Sequence, residues 1–415
     1  IKLIKKILNK YILYIYKQKE MSIQYHQVFP ENTLTSYSGD AQTQVDFLLT
    51  YEGRALEMNS LRLNFDLDIT PVGGATDFAN VRSDPNLFYD ESAGLHGCIE
   101  SCVTSVNGAV IENLNSYARM VAMEEQSTMT ANERNVASAS CEGKVANQRL
   151  TNLFMRGVVA GPFVDNVDGS TSNYATALIE KPSASIKPRI CLNKCFTEDG
   201  SLPLLSFSRS GVIRVSFRLA RSTAFLFGEE SDGSSYALSN LRLTYVSRDD
   251  SRDLAPILAR GVTNVKQAIA SNSANIQAII PGSARAVSVS FQPQSNENTA
   301  YHNNLQLYKI PSLSQVQYLF NDSTNQYITF IIKSEIESLE RYLQSFKDTG
   351  SNSASLQNIV SNNSYGLGTS LGQYVNLANS KFSIQIQSAI GTARNAGGDA
   401  VPMLAYIYFH TLLRL

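Results

Sequence analysis

The sequence contains no tryptophan, and only 17% of its 415 residues are charged, which is below the usual quarter. Hydrophobic residues make up 43%, enough to fill real cores, so the polar surface must come largely from serine, asparagine, glutamine and threonine. That bias suits strands and ordered loops more than exposed helices, which favour glutamate and lysine. Sugar-binding sites often stack their ligand on tryptophan, so its absence weakens that class, although 20 tyrosines and 18 phenylalanines remain.

An excess of basic charge is also missing, since the formal net charge is −1 and the pI is about 6.5. We therefore expect no sequence-specific binding of nucleic acid. The exception is the basic segment 1–21, in which six lysines stand against Glu20. Met21 leaves two interpretations open: an upstream extension absent from the native protein, or a basic amphipathic helix that contacts a membrane. No later run reaches the roughly twenty apolar residues of a transmembrane helix.

Cysteine is sparse, and an odd total of five argues against a secreted disulfide framework and for a reducing compartment. Cys98 and Cys102 are four residues apart, as are Cys191 and Cys195, which is not the usual two-residue spacing of a zinc knuckle. Residues four apart share one face of a strand, so the sequence favours buried core thiols. His96, beside the first pair, keeps a zinc site as the alternative.

Catalytic motifs are absent: the sequence has no P-loop, no dinucleotide fingerprint and no G-x-S-x-G elbow. We therefore predict no enzymatic activity, no catalytic residues, no cofactor and no metal. The four histidines are scattered along the chain, at His26, His96, His302 and His410. His410 lies in an apolar run and is interpreted as a sheet histidine. Glu124 and Glu125 are interpreted as a solvated helix face, because adjacent helical residues point apart.

Alternation of apolar and polar residues is the strongest positive signal, and it predicts half-buried strands. Asn107-Gly108 between two such runs predicts a tight hairpin. The predicted strands include Val45, Phe47 and Leu49; 61–69; 190–196; 213–219; 240–246; Val287, Val289 and Phe291; Leu305, Leu307 and Lys309; 314–320; 327–332; Phe382, Ile384 and Ile386; and the run from Met403.

Two helices and two long polar loops interrupt the strands. The first helix is predicted over 116–126, with Met120 and Met123 on one face. The second follows a capping box of Ser334 and Glu337 and places four apolar residues on one face, namely Ile336, Leu339, Leu343 and Phe346. Loops are predicted over about 127–180 and over 348–374, and loops this long are usually functional.

A chain of this length is too long for one β-sandwich and suits two domains. Two sets of about eight short strands predict two antiparallel sandwiches in tandem. A charge run after residue 247 marks the boundary, so we predict a first domain over 22–250, a linker over 251–262 and a second domain over 263–415. The pattern alone leaves immunoglobulin-like and jelly-roll connectivity both open.

The segment 94–120, GLHGCIESCVTSVNGAVIENLNSYARM, resembles a stretch of the double jelly-roll major capsid proteins of Polinton-like viruses, virophages and related eukaryotic double-stranded DNA viruses. The segment 202–246 is similar to the end of the first jelly roll in that family, and 405–415 to the last strand of the second. The residues that carry the first match are Gly94, His96, Asn107, Gly108, Ile111, Glu112 and Tyr117.

The resemblance implies a mainly β fold of two tandem jelly rolls with a few short helices in the loops. It implies a structural protein that trimerises into pseudo-hexagonal capsomers of an icosahedral shell around double-stranded DNA, and so resides in the virion. Its partners would be two further copies, neighbouring capsomers and penton or minor capsid proteins. The apolar interval 154–164 is then the candidate subunit interface, through Phe154, Val158, Val159, Phe163 and Val164. The alternative is that this interval covers its own domain. The competing functions are a minor or penton capsid protein and a carbohydrate-binding β-sandwich.

Overall fold

The computed structural model describes residues 23–50, 53–70, 88–90, 92–128, 142–144, 183–190, 192, 195–196, 204–207, 211–227, 233–249, 258–280, 282–299, 302–310, 312–321, 326–347, 365–377, 380–389 and 402–414. The basic segment 1–21, the candidate interface 154–164 and most of the predicted loop 127–180 lie outside these ranges.

Strands dominate the described residues of the first half of the chain. They are β1 Gln24–Val28, β2 Tyr37–Ser38, β3 Gln44–Leu49, β4 Arg54–Glu57, β5 Arg62–Thr70, β6 Phe88–Tyr89, β7 Ile99–Val106, β8 Ala109–Leu114, β9 Ser183–Ile186, β10 Cys195–Phe196, β11 Leu204–Ser206, β12 Ile213–Leu219, β13 Leu226–Phe227 and β14 Ser235–Asp249. Helix α1 spans Tyr117–Thr128, a single helical turn spans Ser222–Phe225, and 3₁₀ turns span Met58–Ser60 and Gly94–Cys98.

The second half repeats this style. Its strands are β15 Leu258–Ile269, β16 Ser273–Ile279, β17 Ser283–Pro293, β18 Gln315–Asn321, β19 Gln326–Ile332, β20 Leu367–Asn376, β21 Lys381–Gln387 and β22 Met403–Arg414. Helix α2 spans Glu335–Lys347, and a 3₁₀ turn spans Gln294–Asn296. No described helix is long and apolar enough to cross a membrane.

Strand pairing in the second half follows one order in each of two sheets. One sheet runs β15-β22-β17-β20 and the other β16-β21-β18-β19. Counted along the chain, the first sheet therefore takes the first, eighth, third and sixth strands, and the second sheet takes the remaining four. This interleaving of two antiparallel sheets is jelly-roll connectivity.

The first half has the same interleaving. Its eight main strands, in chain order, are β1, β3, β5, β7, β8, β9, β12 and β14. One sheet contains β1-β14-β5-β9 and the other β8-β7-β12-β3, so one sheet again takes the first, eighth, third and sixth of these strands and the other takes the remaining four. Short strands β2, β4 and β11 extend the first of these sheets. In both halves a helix lies between the fifth and sixth strands, α1 in one and α2 in the other. The fold is a double jelly roll, as the resemblance implied.

The two jelly rolls share a sheet. Strand β15 of the second pairs in parallel with β8 of the first at Thr263 and Asn113, so one continuous nine-stranded sheet spans both. Every other strand pair between described residues is antiparallel. The hydrogen-bonded ladder of this sheet is thus continuous from one sandwich to the other.

Most period-two predictions are confirmed, because alternate residues do enter a core. Val45, Phe47 and Leu49 are fully buried on β3, and so are Phe382, Ile384 and Ile386 on β21. Asn107 and Gly108 both have positive φ, 50° and 79°, as a type I′ hairpin turn requires. The helix predicted over 116–126 is confirmed as α1, and Ser334 directly precedes α2, with Glu337 in its first turn.

Five predictions are wrong in part. Of the strand predicted over 190–196, the described residues form only β10, and Leu305 and Leu307 are buried in a segment without strand structure. The loop predicted over 348–374 contains the start of β20, because its glycines pack against α2. Ile336 is 80% exposed, whereas Phe346 is buried. Strand β15 begins inside the range 251–262 predicted as linker; the domain boundaries otherwise stay a prediction.

Candidate functional site at the junction of the two jelly rolls

The last strand, β22, is buried on both faces. Ala405, Ile407 and Phe409 enter the core of the second jelly roll, while Tyr406 and Tyr408 enter the core that is continuous with the first. A strand buried on both faces has a nearly continuous apolar sequence, which explains the apolar run from Met403 to Phe409. The face that a solitary sandwich would expose to water is therefore covered by the other jelly roll.

Helix α1 is the element that covers this face. Its Ser127 hydroxyl shares a hydrogen bond of 2.9 Å with the Tyr342 hydroxyl of α2. The Tyr408 hydroxyl donates to the Ser116 carbonyl at 3.2 Å, just before α1 begins. Nearly every residue of α1 is buried, so this helix belongs to the interior of the molecule.

An ion pair crosses the junction from α1 to the first strand of the second jelly roll. Arg260 on β15 donates to Glu124 at 2.6 Å, and both side chains are at most 3% exposed. Glu125, the next residue, is also buried and pairs with Lys144 at 3.1 Å and with Arg189. The interpretation of Glu124 and Glu125 as a solvated face is wrong, because basic side chains from three separate segments neutralise them inside.

A histidine and a tyrosine extend the charged cluster of Glu125, Lys144 and Arg189. The Tyr117 hydroxyl lies 3.0 Å from His96 Nδ1 and accepts from the Arg189 amide at 2.6 Å, while His96 Nε2 lies 3.3 Å from Glu142. These contacts fit the tautomer with the proton on Nε2. Glu142 also pairs with Lys144 at 2.8 Å.

Burial sets the protonation of this cluster. It lowers the pKa of His96 to about 4, so the imidazole is neutral at pH 7. Burial acts to raise the pKa of Glu142, but contacts with His96 and Lys144 outweigh it and hold the pKa below its ordinary value. The cluster is thus a fixed arrangement of carboxylates and cations around a neutral histidine.

The other candidate residues do not converge on a reactive centre. Cys98 and Cys102 are free, fully buried thiols, and burial raises the pKa of Cys98 to about 12. His410 lies 2.9 Å from the Ser288 hydroxyl within the shared sheet, whereas His26 stacks on Tyr245 at 4.7 Å. Across the described ranges no group of three or more His, Cys, Asp or Glu side chains is placed to hold a metal ion.

Of the residues that carry the family resemblance, Gly94, His96 and Tyr117 lie in this cluster, whereas Asn107 and Gly108 form the hairpin turn between β7 and β8. Gly94 has φ 56°, and a Cβ on it would lie 2.3 Å from the Glu142 carbonyl oxygen. His96 and Tyr117 contact each other, and Glu112 accepts a hydrogen bond from Thr104 at 3.1 Å. The predicted subunit-interface residues, 154–164, lie outside the described residues.

Comparison with known proteins identifies the fold. No protein-family model and no curated protein sequence matches the chain. Among solved structures it is similar to the Faustovirus major capsid protein, with a TM-score of 0.55 and 10% identity over 95% of this chain and 90% of that one. It is also similar to VP54 of PBCV-1, fitted into a cryo-EM reconstruction of the virophage Sputnik, with a TM-score of 0.51 and 9% identity over 95% of both chains. The chain has the double jelly-roll fold of viral major capsid proteins.

Proposed function

We propose that this protein is a non-enzymatic major capsid protein that trimerises into pseudo-hexagonal capsomers of an icosahedral virion shell enclosing double-stranded DNA. The observation that carries the proposal is the repeated strand order. Two sandwiches of one topology, joined by a shared sheet, give a trimer six similar blocks around its axis. The segment 94–120 supports a relationship to the Polinton-like and virophage lineage.

The joined sandwiches suit a shell subunit because they cannot rotate freely relative to each other. The shared sheet, the Arg260–Glu124 pair and the apolar side chains around β22 all oppose relative motion. A shell subunit must hold one shape while it contacts several neighbours at once. Buried charged pairs add little net stability, but they penalise misalignment, because a displaced partner leaves a buried charge unpaired.

The outer face of the second jelly roll suits contact with another subunit. In register across β16, β21, β18 and β19 lie Asn275, Gln385, Gln317 and Ile331. Lys381 carries the one charge among the described outward residues of β16, β21 and β18. When a neighbouring subunit covers such a face, the groups that lose water are mainly amides, which can hydrogen-bond to that subunit, and few of them are charged.

The outer face of the first jelly roll has a different character. Strands β5 and β14 direct Arg62, Asp66, Asp68 and Arg242 outward. The two sandwiches therefore present unlike surfaces, and a head-to-tail contact between them closes into a ring only if the rotation fits. We propose that the outer face of the second jelly roll, on which Lys381 is the one described charge of β16, β21 and β18, packs against the neighbouring subunit in the trimer.

A charge substitution tests this interface. Gln317→Glu combined with Gln385→Glu places two carboxylates side by side on this outer face, and we expect monomers by light scattering after size exclusion. Gln344→Glu makes the same chemical change on an exposed position of α2 and is expected to leave the oligomer intact. An unchanged oligomer in the double variant, with an unchanged melting temperature, contradicts the proposed interface.

The interval 154–164 remains a second candidate for the subunit interface, through Phe154, Val158, Val159, Phe163 and Val164. Replacing Phe163 with Asp is expected to prevent trimer formation if this interval is buried between subunits. An intact trimer in this variant shows that the interval covers its own domain instead.

Particle symmetry separates the competing functions. Electron microscopy of the purified oligomer is expected to show particles with threefold symmetry and a nearly hexagonal outline. Fivefold rings identify a penton protein. Isolated monomers that bind immobilised glycans identify a carbohydrate-binding module, and monomers without glycan binding favour a minor capsid protein; each of these results overturns the proposal.

A further inference from the structure

A cavity of about 480 Å³ lies between the two jelly rolls, beside the first turn of α1. We call it the junction cavity. It is lined from the first jelly roll by Arg119 and from the second by Gln292 and Tyr406, with Leu305 and Val265 among its apolar lining residues. Its volume is in the range of small-ligand sites.

Arg119 is the unmatched charge of this cavity. Its side chain is buried, with 4% exposure, its guanidinium lies 4.4 Å from the centroid of the Tyr406 ring, and Nη2 donates to the Asn304 carbonyl. Within the described part of the chain, Nη1 has no hydrogen-bond acceptor and no carboxylate lies within ion-pair distance of the guanidinium. A buried guanidinium without a counter-ion is costly, so the cavity favours an anion.

The other cations of the lining are already neutralised. Lys266 pairs with Glu297, and Arg218 pairs with Glu100 at 3.3 Å. Arg119 is therefore the cation of the lining that is available to an incoming anion. The two carboxylates of the lining are each paired with a cation and do not repel the anion strongly. The charge balance of the lining is positive by one, since Arg119, Arg218 and Lys266 face Glu100 and Glu297.

Gln292 adds a second unfilled contact. It is 1% exposed on β17, and its Oε1 has no hydrogen-bond partner among the described residues. A primary amide offers both a donor and an acceptor, and buried polar groups are rarely left without partners. Because Oε1 accepts hydrogen bonds, a ligand that satisfies both residues carries a carboxylate for Arg119 and a hydroxyl or N–H donor for Gln292, on a compact body that fits between Leu305, Val265 and Tyr406.

We propose that the junction cavity is a carboxylate-binding site, with Arg119 as the charged ligand and Gln292 as the amide contact. The carboxylate has two possible sources: a small organic acid, or an acidic side chain of another protein chain. This inference does not depend on the capsid assignment, because it rests on the contacts within one chain.

Acetate is the probe, with chloride at equal ionic strength as the control for screening. We expect saturating acetate to raise the melting temperature by about 2–5 °C more than chloride does, by binding the folded state. In Arg119→Met, which keeps the bulk of the side chain and removes its charge, this difference is expected to vanish. If acetate and chloride act equally on the unchanged protein, the proposal is overturned.

A second variant keeps the test valid if Arg119→Met fails to fold. Gln292→Glu places a carboxylate inside the cavity, so the protein supplies its own anion. We expect this variant to melt higher than the unchanged protein at pH 7 and to lose its response to acetate. A lower melting temperature with an intact acetate response contradicts the proposed site.

The mass of the protein in acetate distinguishes the two sources. If an acidic side chain of another chain fills the cavity, acetate competes with it and shifts the oligomer toward smaller species. If the natural occupant is a small organic acid, the melting temperature rises and the mass is unchanged. Either result supports a carboxylate site, and neither depends on the number of subunits.

Discussion

Arg260 on β15 and Glu124 on α1 form a 2.6 Å ion pair between the two jelly rolls, with side-chain exposures of 1% and 3%. The pair is 136 residues apart in sequence and joins the first strand of one sandwich to the interior helix of the other. A pair so far from water is weakly stabilising while intact and strongly destabilising when one partner is removed. It therefore makes the relative placement of the two sandwiches specific.

Removing the carboxylate alone tests this relationship. The Glu124→Gln variant removes the carboxylate that faces Arg260, and we expect the free energy of unfolding to fall by about 3–5 kcal/mol. Denaturant titration followed by circular dichroism measures the loss.

Two controls accompany this variant. Glu124→Leu combined with Arg260→Met replaces the pair by apolar side chains and is expected to restore most of the stability. Glu31→Gln breaks the exposed Arg214–Glu31 pair, at 2.9 Å, and is expected to cost less than about 1 kcal/mol. Equal losses in the buried and exposed variants would show that the junction pair has no special role.

The stability is expected to fall as the pH drops from about 6.5 to 4. Burial lowers the pKa of His96 to about 4, so over this window the unfolded chain binds a proton that the folded protein does not. The difference amounts to about 3 kcal/mol at most. The pKa of Glu142 is also lowered in the folded protein, so this carboxylate adds to the loss of stability once the pH falls below the ordinary pKa of glutamate.

Comparison with His96→Gln isolates this contribution. The variant lacks the titrating imidazole, so its stability is expected to change less between pH 6.5 and 4 than that of the unchanged protein. Denaturant midpoints at several pH values measure both slopes, and parallel slopes would exclude His96 as the source.

The hairpin turn between β7 and β8 depends on glycine. Gly108 has φ 79°, a region that a Cβ makes unfavourable, so Gly108→Ala is expected to cost about 1–2 kcal/mol. Gly282 has no positive φ and no atom within 4 Å of an added Cβ, so Gly282→Ala is the matched control and is expected to be neutral or slightly stabilising. Thermal melts of the two variants give the comparison.

A close approach between β20 and α2 depends on another glycine. A Cβ on Gly368 would lie 2.7 Å from the Ser345 hydroxyl and 3.2 Å from the Val287 carbonyl oxygen. Gly368→Ala is therefore expected to cost about 1–3 kcal/mol through overpacking. Adding Ser345→Gly relieves part of the collision, so the two changes should couple in a double-mutant cycle. Strict additivity would show that the helix does not press on the strand.

The sequence predicted the repeated sandwiches well because alternation reports directly which side chains enter a core. Phe65 and Phe382 alternate with polar neighbours on strands that are buried on one face only. Alternation fails where both faces are buried, as on β22, and where a buried segment is irregular, as at Leu305 and Leu307. The order of strands within the sheets came from the resemblance and the structure, since periodicity carries no pairing information.

The junction was missed because its defining residues are charged. Glu124, Glu125 and Arg260 are residue types that almost always face water, and the sequence offers no sign that Glu124 pairs with Arg260, 136 residues away. One signal was present: Glu124 follows Met120 by four residues, so this glutamate and this methionine lie on the same face of the predicted helix. Such a helix is consistent with burial among basic side chains.

The mass of the purified protein in solution tests the capsomer proposal most directly. Light scattering after size exclusion is expected to give three times the 45.6 kDa chain mass, with no change on dilution. A species that stays monomeric at high protein concentration would contradict the account.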